Sequence, residues 1–541
     1  MIRLPQTPRG LYEIRVAVQT TKQPSHLFYA ILEKPIDDSA PEIQHTSLFN
    51  LTTSETSETE QLTEVDIADQ LLPQGQSHLL VKVTTDSPTP IGFVLYAEAM
   101  KPVGRYRILI GSILLVAIYV LLLLEVINRA VVAFIGAFLT LLLISFVSHA
   151  PALTTVVGWM DSSTLCLLFG MMIMIQMLST TGFFEYLAIQ MLLLTKGHVL
   201  RLNIALCSLT AICSAFLDNV TTMLLIAPVT IELSRMMNVN PIPFLLPEVI
   251  YSNLGGTATQ IGDPPNIILG NMLKEHIGFM DFIYHATPNA VLCCIIVYFF
   301  VYWYYKKDLV KPAVQVDASL KEKYQIKNKP LLIKCGSILL TTILLFFLHS
   351  VHHIDTAYLA IAGAFACLLL GTNEDLHTTF ELLEWETLVF FAGLFIMIEG
   401  INELGVIRAI GNAVCNLIMA APAQWQSFLA HMLILWVSGL ASSVLDNIAF
   451  TATMVPIIKI LGEHPELSQH MSVYTLAWAL AFGACFGGNG TLVGAGSNLV
   501  TAGICATNGY PITFGQFFKF GFSVMLITLI ISTIYVWIRY V

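Results

Sequence analysis

The chain has 541 residues, of which 56% are hydrophobic and only 11% are charged. Soluble domains carry roughly 25% charged residues, so this composition excludes an ordinary soluble protein and indicates a membrane protein with one soluble appendage. The formal net charge of −10 lies mostly outside the apolar segments and argues against nucleic acid as a partner.

Residues 1–104 differ in their pattern from the rest of the chain. Short alternating runs such as LYEIRVAVQT and HLLVKVTT are separated by polar, proline-containing stretches. This alternation predicts a small β-sandwich, with a flexible loop at residues 54–60 (SETSETE). Asn50 begins an Asn-Leu-Thr sequon for N-glycosylation, which requires that this domain face a lumen or the exterior.

From Arg105 onward, apolar segments long enough to cross a bilayer of ~30 Å dominate the chain. The predicted spans are 105–126, 130–148, 162–196, 243–273, 285–305, 331–349, 356–371, 385–419, 470–505 and 516–540. Two further stretches, 200–236 and 425–461, are too polar at their centres to be simple spans.

The two halves of this membrane region repeat each other. Four positions recur at a shift of 223, namely Thr164, Gly170, Met174 and Gly182, which match Thr387, Gly393, Met397 and Gly405. Each half contains five spans and one polar-centred segment, and this odd number of spans places the second copy upside down. The sequence therefore predicts an α-helical polytopic membrane protein with an inverted repeat. Its parts are a first repeat at 105–305, a cytosolic linker at 306–330 and a second repeat at 331–541.

Each polar-centred segment carries an Asp-Asn pair, with a proline ten positions after the aspartate (218 to 228 and 446 to 456). A charged residue at the centre of a membrane helix costs about 2.5–3.5 kcal/mol on insertion scales, so both aspartates need a role. We expect re-entrant hairpins whose turns expose side chains, carbonyl groups and helix N-termini to a cavity. The predicted ion ligands here are Asp218, Asn219, Thr221, Thr222, Asp446 and Asn447. The alternative is that both aspartates only cap packed helices.

A glycine-rich segment follows each Asp-Asn pair. Thr, Gly and Asn stand 4, 7 and 11 positions after the first glycine in both copies. We expect two broken helices, because glycine permits an unwound backbone and the first copy adds an Asp-Pro-Pro that interrupts a helix. The backbone-permissive glycines are Gly255, Gly256, Gly262, Gly487, Gly488 and Gly494. The predicted ligands are Thr259, Asp263, Asn266, Thr491 and Asn498. A glycine-lined contact between helices is the alternative.

Lysines set the predicted orientation. The connector 306–334 carries eight lysines, so we place it in the cytosol and residues 1–104 on the luminal or extracellular side. Lys101, Arg105 and Arg107 conflict with this orientation because they flank the first span on its luminal side. A luminal domain also needs a segment that exports it, so we expect a preceding transmembrane segment outside this sequence.

Other functions have less support from motifs. The sequence has no GxxxxGK[ST] loop for ATP and no HExxH motif of a metalloprotease. A membrane aspartyl protease would not need the matched glycine, threonine and asparagine positions. We therefore predict that the chain is not an enzyme and has no cofactor, and that Na⁺ is the one metal ion it could hold. Glu248, near the start of a span, is expected at the membrane interface.

Four segments give the membrane region a family resemblance: AFLDNVTTMLLIAPVTIEL, EVIYSNLGGTATQIGDPPNIILGN, SSVLDNIAFTATMVPI and AFGACFGGNGTLVGAGSNLV. Over about 105–541, they resemble the P protein (pink-eyed dilution) family of the ion transporter superfamily, alongside arsenite permeases, Na⁺/H⁺ antiporters and citrate carriers. The resemblance implies a scaffold and a moving transport domain, and it permits anion conductance or control of organelle pH. In the dicarboxylate branch of this superfamily, a Ser-Asn-Thr sequence at the turn (tip) of each re-entrant hairpin binds sodium and carboxylates. Here Asp218 and Asp446 stand there instead, which disfavours a carboxylate substrate and favours Na⁺ or H⁺.

The sequence therefore predicts a secondary transporter that moves small ions across an organelle membrane (melanosome- or endolysosome-like) or the plasma membrane, coupled to Na⁺ or H⁺. Two alternatives stay open, an anion (chloride) channel-like conductance and a citrate or dicarboxylate carrier. The expected partners are the lipid bilayer and a small inorganic ion or small anion, with a homodimer left open. We expect the two aspartate-bearing tips to share one ion cavity.

Overall fold

The computed structural model describes residues 104, 106–124, 126–148, 150–310, 325–371, 376–469 and 471–541, and the backbone of eight strands between Ile2 and Ala99. Backbone contacts divide the chain into two compact units. The first comprises residues 1–114, 138–155 and 403–406, and the second comprises residues 115–137, 156–402 and 407–541. Every predicted ion ligand lies in the second unit.

The described strands form two antiparallel sheets. They are β1 (Ile2–Arg3), β2 (Leu11–Val18), β3 (His26–Pro35), β4 (Ile43–Gln44), β5 (Phe49–Thr52), β6 (Thr59–Asp66), β7 (Ser77–Thr85) and β8 (Phe93–Ala99). One sheet has the order β1-β7-β3-β4 with β5 also paired to β3, and the other has the order β6-β2-β8. Asn50 lies in β5, opposite Phe28. Residues 54–58 of the predicted loop lie outside the described residues, and its last two residues, Thr59 and Glu60, begin β6 instead.

The first half of the membrane region forms helices whose order recurs in the second half. They are α1 (Arg107–Leu124), α2 (Arg129–Val147), α3 (Leu153–Trp159), α4 (Ser162–Ser179), α5 (Phe183–Leu194), α6 (Val199–Ser214), α7 (Asn219–Met236), α8 (Ile242–Gly256), α9 (Pro264–Met272), α10 (Phe279–Tyr304) and α11 (Lys306–Leu309).

The second half continues with α12 (Lys329–Phe347), α13 (His349–His352), α14 (Thr356–Leu370), α15 (Leu376–Glu381), α16 (Trp385–Glu403), α17 (Val406–Met419), α18 (Ala423–Ser442), α19 (Asn447–Glu463), α20 (Val473–Gly487), α21 (Gly496–Thr507) and α22 (Phe514–Tyr540). Helices α4 to α10 correspond in order to α16 to α22. Within the described residues, seven helices are long and apolar enough to cross a membrane, namely α1, α2, α4, α10, α12, α16 and α22.

Two predicted spans are each divided into two helices. The span predicted at 162–196 forms α4 and α5, and the span predicted at 385–419 forms α16 and α17. The turns contain Gly182 at φ 76° and Gly405 at φ 81°. This left-handed conformation is open to glycine because it has no Cβ. Both glycines are matched repeat positions, but the sequence analysis did not predict a turn there.

Helix packing brings the polar breaks of the two halves together. Helix α6 packs against α8, and α18 packs against α20 in the same way. Between the halves, α7 packs against α21, and α19 packs against α9. The helix that follows each Asp-Asn pair therefore contacts the broken helix of the other half.

Candidate functional site

Asp218 and Asp446 each stand immediately before a helix, in the break between α6 and α7 and in the break between α18 and α19. The Asp218 carboxylate accepts a hydrogen bond from the backbone N–H of Thr221 at 2.8 Å. The Asp446 carboxylate accepts one from the backbone N–H of Ile448 at 2.8 Å. Both aspartates therefore cap helices and place negative charge at the positive end of a helix dipole. The capping alternative is thus present, alongside the cavity positions described below.

The two threonines after Asp218 differ in their surroundings. The Thr221 hydroxyl group donates to Oδ2 of Asp218 at 2.5 Å, so it holds the carboxylate in place. Thr222 is fully buried, and its hydroxyl oxygen has no hydrogen-bond partner within the described part of the chain.

A matched asparagine organises the loop of each broken helix. Nδ2 of Asn266 donates to three carbonyl groups within residues 256–259 at 2.9, 3.1 and 3.3 Å. Nδ2 of Asn498 donates to two carbonyl groups within residues 488–491 at 2.8 and 2.9 Å. Carbonyl groups left free by the helix break are thereby satisfied inside the protein. In this conformation, both asparagines hold the loops together.

A matched threonine ties each broken helix to the helix that precedes an Asp-Asn pair. The Thr259 hydroxyl group donates to the carbonyl oxygen of Ala215. The Thr491 hydroxyl group donates to the carbonyl oxygen of Ser443 at 2.5 Å. Ala215 and Ser443 occupy the same position of the repeat, three residues before each aspartate. The predicted role of these threonines as ion ligands stays a prediction.

The repeated glycines lie at close contacts between backbone segments. A Cβ atom on Gly255 would lie 2.2 Å from the carbonyl oxygen of Ala211, and one on Gly487 would lie 2.5 Å from that of Gly439. At the other four glycines, a Cβ atom would lie 2.6–3.1 Å from backbone oxygen atoms. The six are Gly255, Gly256, Gly262, Gly487, Gly488 and Gly494. Close approach of α8 to α6 and of α20 to α18 therefore explains Gly255 and Gly487, whereas Gly256 contacts Gly262 and Gly488 contacts Gly494 across the helix breaks.

Amide side chains join the two halves at the centre. Nδ2 of Asn253 donates to Oδ1 of Asn489 at 2.9 Å and to Oδ1 of Asn498 at 3.2 Å. Oδ1 of Asn253 accepts from the hydroxyl group of Ser497 at 2.8 Å and from Nδ2 of Asn219 at 3.0 Å. The Asn-Asn contacts connect α7 and α8 of the first half to the α20–α21 loop and α21 of the second.

A small cavity lies beside this network, where several helices begin. Its polar lining consists of Arg129, Asp218, Asn219, Asp263, Glu384, Thr387 and Asn447. The cavity volume is about 20 Å³, which is enough for one water-sized species. The structure thus brings Asp218, Asn219, Asp263 and Asn447 together as predicted ligands around one space.

The cavity has an excess of carboxylate groups over cationic groups. Three carboxylates, those of Asp218, Asp263 and Glu384, line it together with the single guanidinium group of Arg129. Asp263 is fully buried; its Oδ1 accepts from Asn219 at 3.3 Å, and its Oδ2 has no partner in the described part of the chain. Glu384 likewise has one buried oxygen, Oε1, without a described donor. Buried carboxylate oxygens without donors are costly, so a bound cation or proton would stabilise this arrangement.

Asp446 lines a second, neighbouring cavity, which differs from the sequence expectation of one shared space. Arg129 and Gly496 line both cavities. Nη1 of Arg129 lies 3.8 Å from Oδ2 of Asp446, and its Nε lies 3.9 Å from Oε1 of Glu386. Both Asp-Asn breaks line the first cavity, the second one through Asn447, but Asp446 itself lines the neighbouring cavity, where Arg129 lies close to it.

The acidic groups do not form a ready metal site. Among the residues that the structure describes, no three His, Cys, Asp or Glu side chains converge closely enough to hold a metal ion. A cation in the cavity would need amide or backbone oxygens beside the carboxylates, as at the broken helices of other transporters. A proton needs only one carboxylate.

Sequence reasoning missed Arg129, Glu384, Asn253 and Asn489. Arg129 and Glu384 stand at the starts of α2 and α16, where charged residues are common at the ends of membrane spans. Asn253 could have been noticed, because it is an uncharged polar residue inside an apolar segment two positions before Gly255. The sequence also did not reveal that Glu248, near the start of a span, is fully buried inside the protein.

Comparisons with known proteins agree with the family resemblance. A family model described as CitMHS, citrate transporter, matches residues 119–483. The P protein of Mus musculus is 36% identical over 501 residues, which cover 79% of this chain and 60% of that protein. The P protein of Homo sapiens is 35% identical, with 87% of this chain and 65% of that protein covered. The predicted resemblance to the P protein family is confirmed, and the chain spans less than two thirds of these two relatives.

Shorter relatives are matched over nearly their whole length. An uncharacterized transporter of Mycobacterium tuberculosis is 37% identical over 430 residues, which cover 79% of this chain and 97% of that protein. The crystal structure of the YdaH transporter of Alcanivorax borkumensis aligns with a TM-score of 0.51 at 13% identity, covering 76% of this chain and 98% of that chain. This last likeness concerns the fold alone.

Proposed function

Because this chain belongs to the citrate transporter (CitMHS) family, we propose that it is a secondary transporter that couples the movement of small ions to Na⁺ or H⁺. The observation that carries the proposal is the acidic cavity, where Asp218, Asp263 and Glu384 face one arginine and two carboxylate oxygens lack donors. A positive ion or a proton would compensate this charge.

The broader functional class, a membrane transport protein, follows from the comparisons and from the apolar helices. The family and the bacterial relative are named as transporters, and the described residues include helices apolar enough to cross a membrane. The chain is therefore a multi-pass membrane transport protein, and it is not an enzyme.

We also propose that the two halves of the membrane region form an inverted repeat. The matching order of α4–α10 and α16–α22, and the reciprocal packing of α7 on α21 and α19 on α9, support two copies of one unit. We place the copies in opposite orientation, because each half has an odd number of predicted spans. During alternating access, the helices that carry the Asp-Asn breaks would then move past the first spans of each half.

We further propose that residues 1–104 form a domain on the luminal or extracellular side of the membrane. The two antiparallel sheets support a β-sandwich domain, and the lysine-rich connector supports a luminal or extracellular location for it. In an organelle membrane, a transporter with this orientation and proton coupling would help to set luminal pH. Glycosylation at Asn50 and assembly as a homodimer remain predictions.

An anion is the second candidate for the transported species. Arg129 lines both cavities, and both also contain Gly496, the first residue of α21, whose N-terminus has no side-chain cap. A guanidinium group beside a helix N-terminus attracts anions. This observation supports chloride conductance or transport of a carboxylate such as citrate, whereas the three carboxylates of the first cavity oppose it.

Purified protein in proteoliposomes, with Na⁺ and pH gradients imposed separately, tests the proposal. Uptake from a panel of ions should depend on at least one of the gradients. Asp218→Asn and Asp446→Asn should each abolish this dependence, because the first removes a carboxylate from the first cavity and the second removes one from the neighbouring cavity. Glu275→Gln, at an exposed position, is the matched control and should leave uptake unchanged.

Three outcomes would contradict the coupled cation mechanism. Unchanged gradient dependence in both aspartate variants would remove these residues from it. A reversal potential that follows a chloride gradient without fixed stoichiometry would favour a channel. Competition by citrate would favour a carboxylate carrier.

A further inference from the structure

Glu248 is a buried carboxylate outside the cavity described above. It lies in α8 with no exposed surface. Its Oε1 accepts a hydrogen bond from the hydroxyl group of Thr230 on α7 at 3.0 Å. Its Oε2 has no hydrogen-bond partner in the part of the chain that the structure describes. One hydroxyl donor is therefore the whole described support for this carboxylate.

Among the residues that the structure describes, no positive charge compensates Glu248. Within the described residues, no ion pair includes Glu248. The titratable groups that interact with it electrostatically are the thiols of Cys207 on α6 and Cys505 on α21. An ionised carboxylate without a cation or several donors is strongly disfavoured in a buried membrane environment. A proton on Oε2 removes the charge and leaves Oε1 free to accept from Thr230.

The residues of the second half that correspond to Glu248 and Thr230 show whether packing requires polar side chains at these positions. Position 248 matches 480 by the shift of the glycine pairs (255 to 487), and position 230 matches 458 by the shift of the aspartates (218 to 446). Leu480 and Ile458 occupy these positions, and both are fully buried. The second half therefore buries apolar side chains at both positions, so packing does not require a carboxylate and a hydroxyl group there.

Two buried polar residues of α8, Ser252 and Asn253, follow Glu248 in the direction of the acidic cavity. Ser252 lies one helical turn further along α8, at a Cβ separation of about 5–6 Å for this spacing. The next residue, Asn253, accepts from Asn219, which lines the cavity and donates to Asp263. Ser252 is fully buried, and its carbonyl oxygen accepts from Ser214 at 2.7 Å. Glu248 and Ser252 lie on the same face of α8, Asn253 lies on the adjacent face, and all three residues are buried.

We propose that Glu248 is a second proton-binding site of this transporter, which holds a proton on Oε2 and exchanges it along α8 with the acidic cavity during transport. The step is the reversible dissociation of a carboxylic acid, in which the O–H bond breaks and the proton passes to a carboxylate of the cavity or to water. The exchange rests on the proposed transport function, whereas the presence of the proton does not.

Infrared difference spectroscopy on the purified protein tests the presence of the proton directly. A protonated buried carboxyl group gives a C=O stretching band that shifts in deuterium oxide. Glu248→Gln should remove one such band, whereas the exposed control Glu275→Gln should leave the spectrum unchanged. A spectrum of Glu248→Gln identical to that of the wild type would overturn the proposal, whether or not the protein transports ions.

Proteoliposomes with an internal pH-sensitive dye test the exchange. The double variant Glu248→Leu, Thr230→Ile copies the apolar pair of the second half and should fold like the wild type, as monitored by thermal unfolding. Under an imposed pH gradient, the proton flux of the double variant should fall to that of vesicles without protein. The proton flux of Glu248→Gln should fall to the same level. Wild-type proton flux in either folded variant would overturn the exchange.

The two tests separate the two proposals. If Asp218→Asn abolishes gradient dependence while the Glu248 variants keep wild-type flux, the transport function stands and the proton exchange at Glu248 fails. If no gradient drives uptake in the wild type but the infrared band disappears in Glu248→Gln, the proton site stands and the coupled transport fails.

Discussion

The α8–α9 region of the first half and the α20–α21 region of the second half hold their loops with the same side chains. In both regions, an asparagine donates to loop carbonyl groups and a threonine donates to the carbonyl oxygen three residues before an aspartate. The charge differs, however. Asp263 and Glu248 in the first region correspond to Ala495 and Leu480 in the second.

This difference separates positions that build the fold from positions that carry charge. Within these two regions, the asparagines, threonines and glycines present in both copies make equivalent hydrogen bonds and close contacts, so their repetition is explained by structure. Residues present in one copy are not needed for that structure, because the other copy folds without them. By this criterion, Asp263 and Glu248 are the strongest functional candidates of the broken helices.

The largest effect is expected from the shared glycines. Gly255→Ala and Gly487→Ala should each destabilise the protein by about 3 kcal/mol, because the new methyl group would overlap a backbone oxygen of the neighbouring helix. Thermal unfolding in detergent measures this loss. Gly503→Ala in α21 is the control, since its Cβ would meet nothing within 4 Å and should stabilise the helix by about 0.5–1 kcal/mol. Equal stability of all three variants would contradict the close contacts.

The shared asparagines should give an intermediate and similar loss in both halves. Asn266→Ala and Asn498→Ala each remove donors from buried carbonyl groups, at a cost of about 1–3 kcal/mol. The free energy of unfolding of the two variants, compared in one detergent, checks this prediction. A large loss in one half and none in the other would break the structural equivalence of the two regions.

Asn219 should affect ion binding more than stability. Its amide donates to Oδ1 of Asp263, so Asn219→Ala should weaken cation affinity by about 10–100-fold, as removal of a group that orients a ligand does. The concentration of Na⁺ or H⁺ that half-saturates uptake measures the change. Asn416→Ala in α17, away from the cavity lining, is the control. Equal half-saturation for Asn219→Ala and the wild type would contradict this orienting role.

Arg129 should give the smallest change in stability. Its pairs with Asp446 and Glu386 are 3.8 and 3.9 Å long, and the side chain is 29% exposed, so Arg129→Gln should cost at most about 1 kcal/mol. Its effect on selectivity should be larger, because the variant removes the one cationic group of the cavity and should weaken inhibition by anions. Unchanged anion inhibition would exclude Arg129 from the site.

Local signals explain what the sequence predicted. Helices begin directly after Asp218 and Asp446 because aspartate caps an N-terminus, and α9 begins at the Pro264-Pro265 pair because proline favours the first helical turn. The equal spacing of Thr259 and Thr491 predicted equivalent places, and the structure gives them equivalent hydrogen bonds.

Long-range packing explains what the sequence could not predict. Arg129 and Glu384 come from the starts of α2 and α16, and only the assembled helices bring them to Asp218. Glu248 lies near the start of α8, which suggested an interface, but the surrounding helices bury it completely. The glycines predicted unwound backbone, which the breaks after α8 and α20 contain, but the sequence did not reveal the close contacts of Gly255 with α6 and of Gly487 with α18.

Asp263 offers the most direct measurement of the central claim. Asp263→Ala gives the first half the residue that the second half already has, and no cap hydrogen bond is lost, because the carboxylate makes none to α9. In proteoliposomes with imposed Na⁺ and pH gradients, the folded variant should lose gradient-driven uptake down to the level of vesicles without protein. Wild-type gradient-driven uptake in that variant would contradict an acidic cavity as the coupling site.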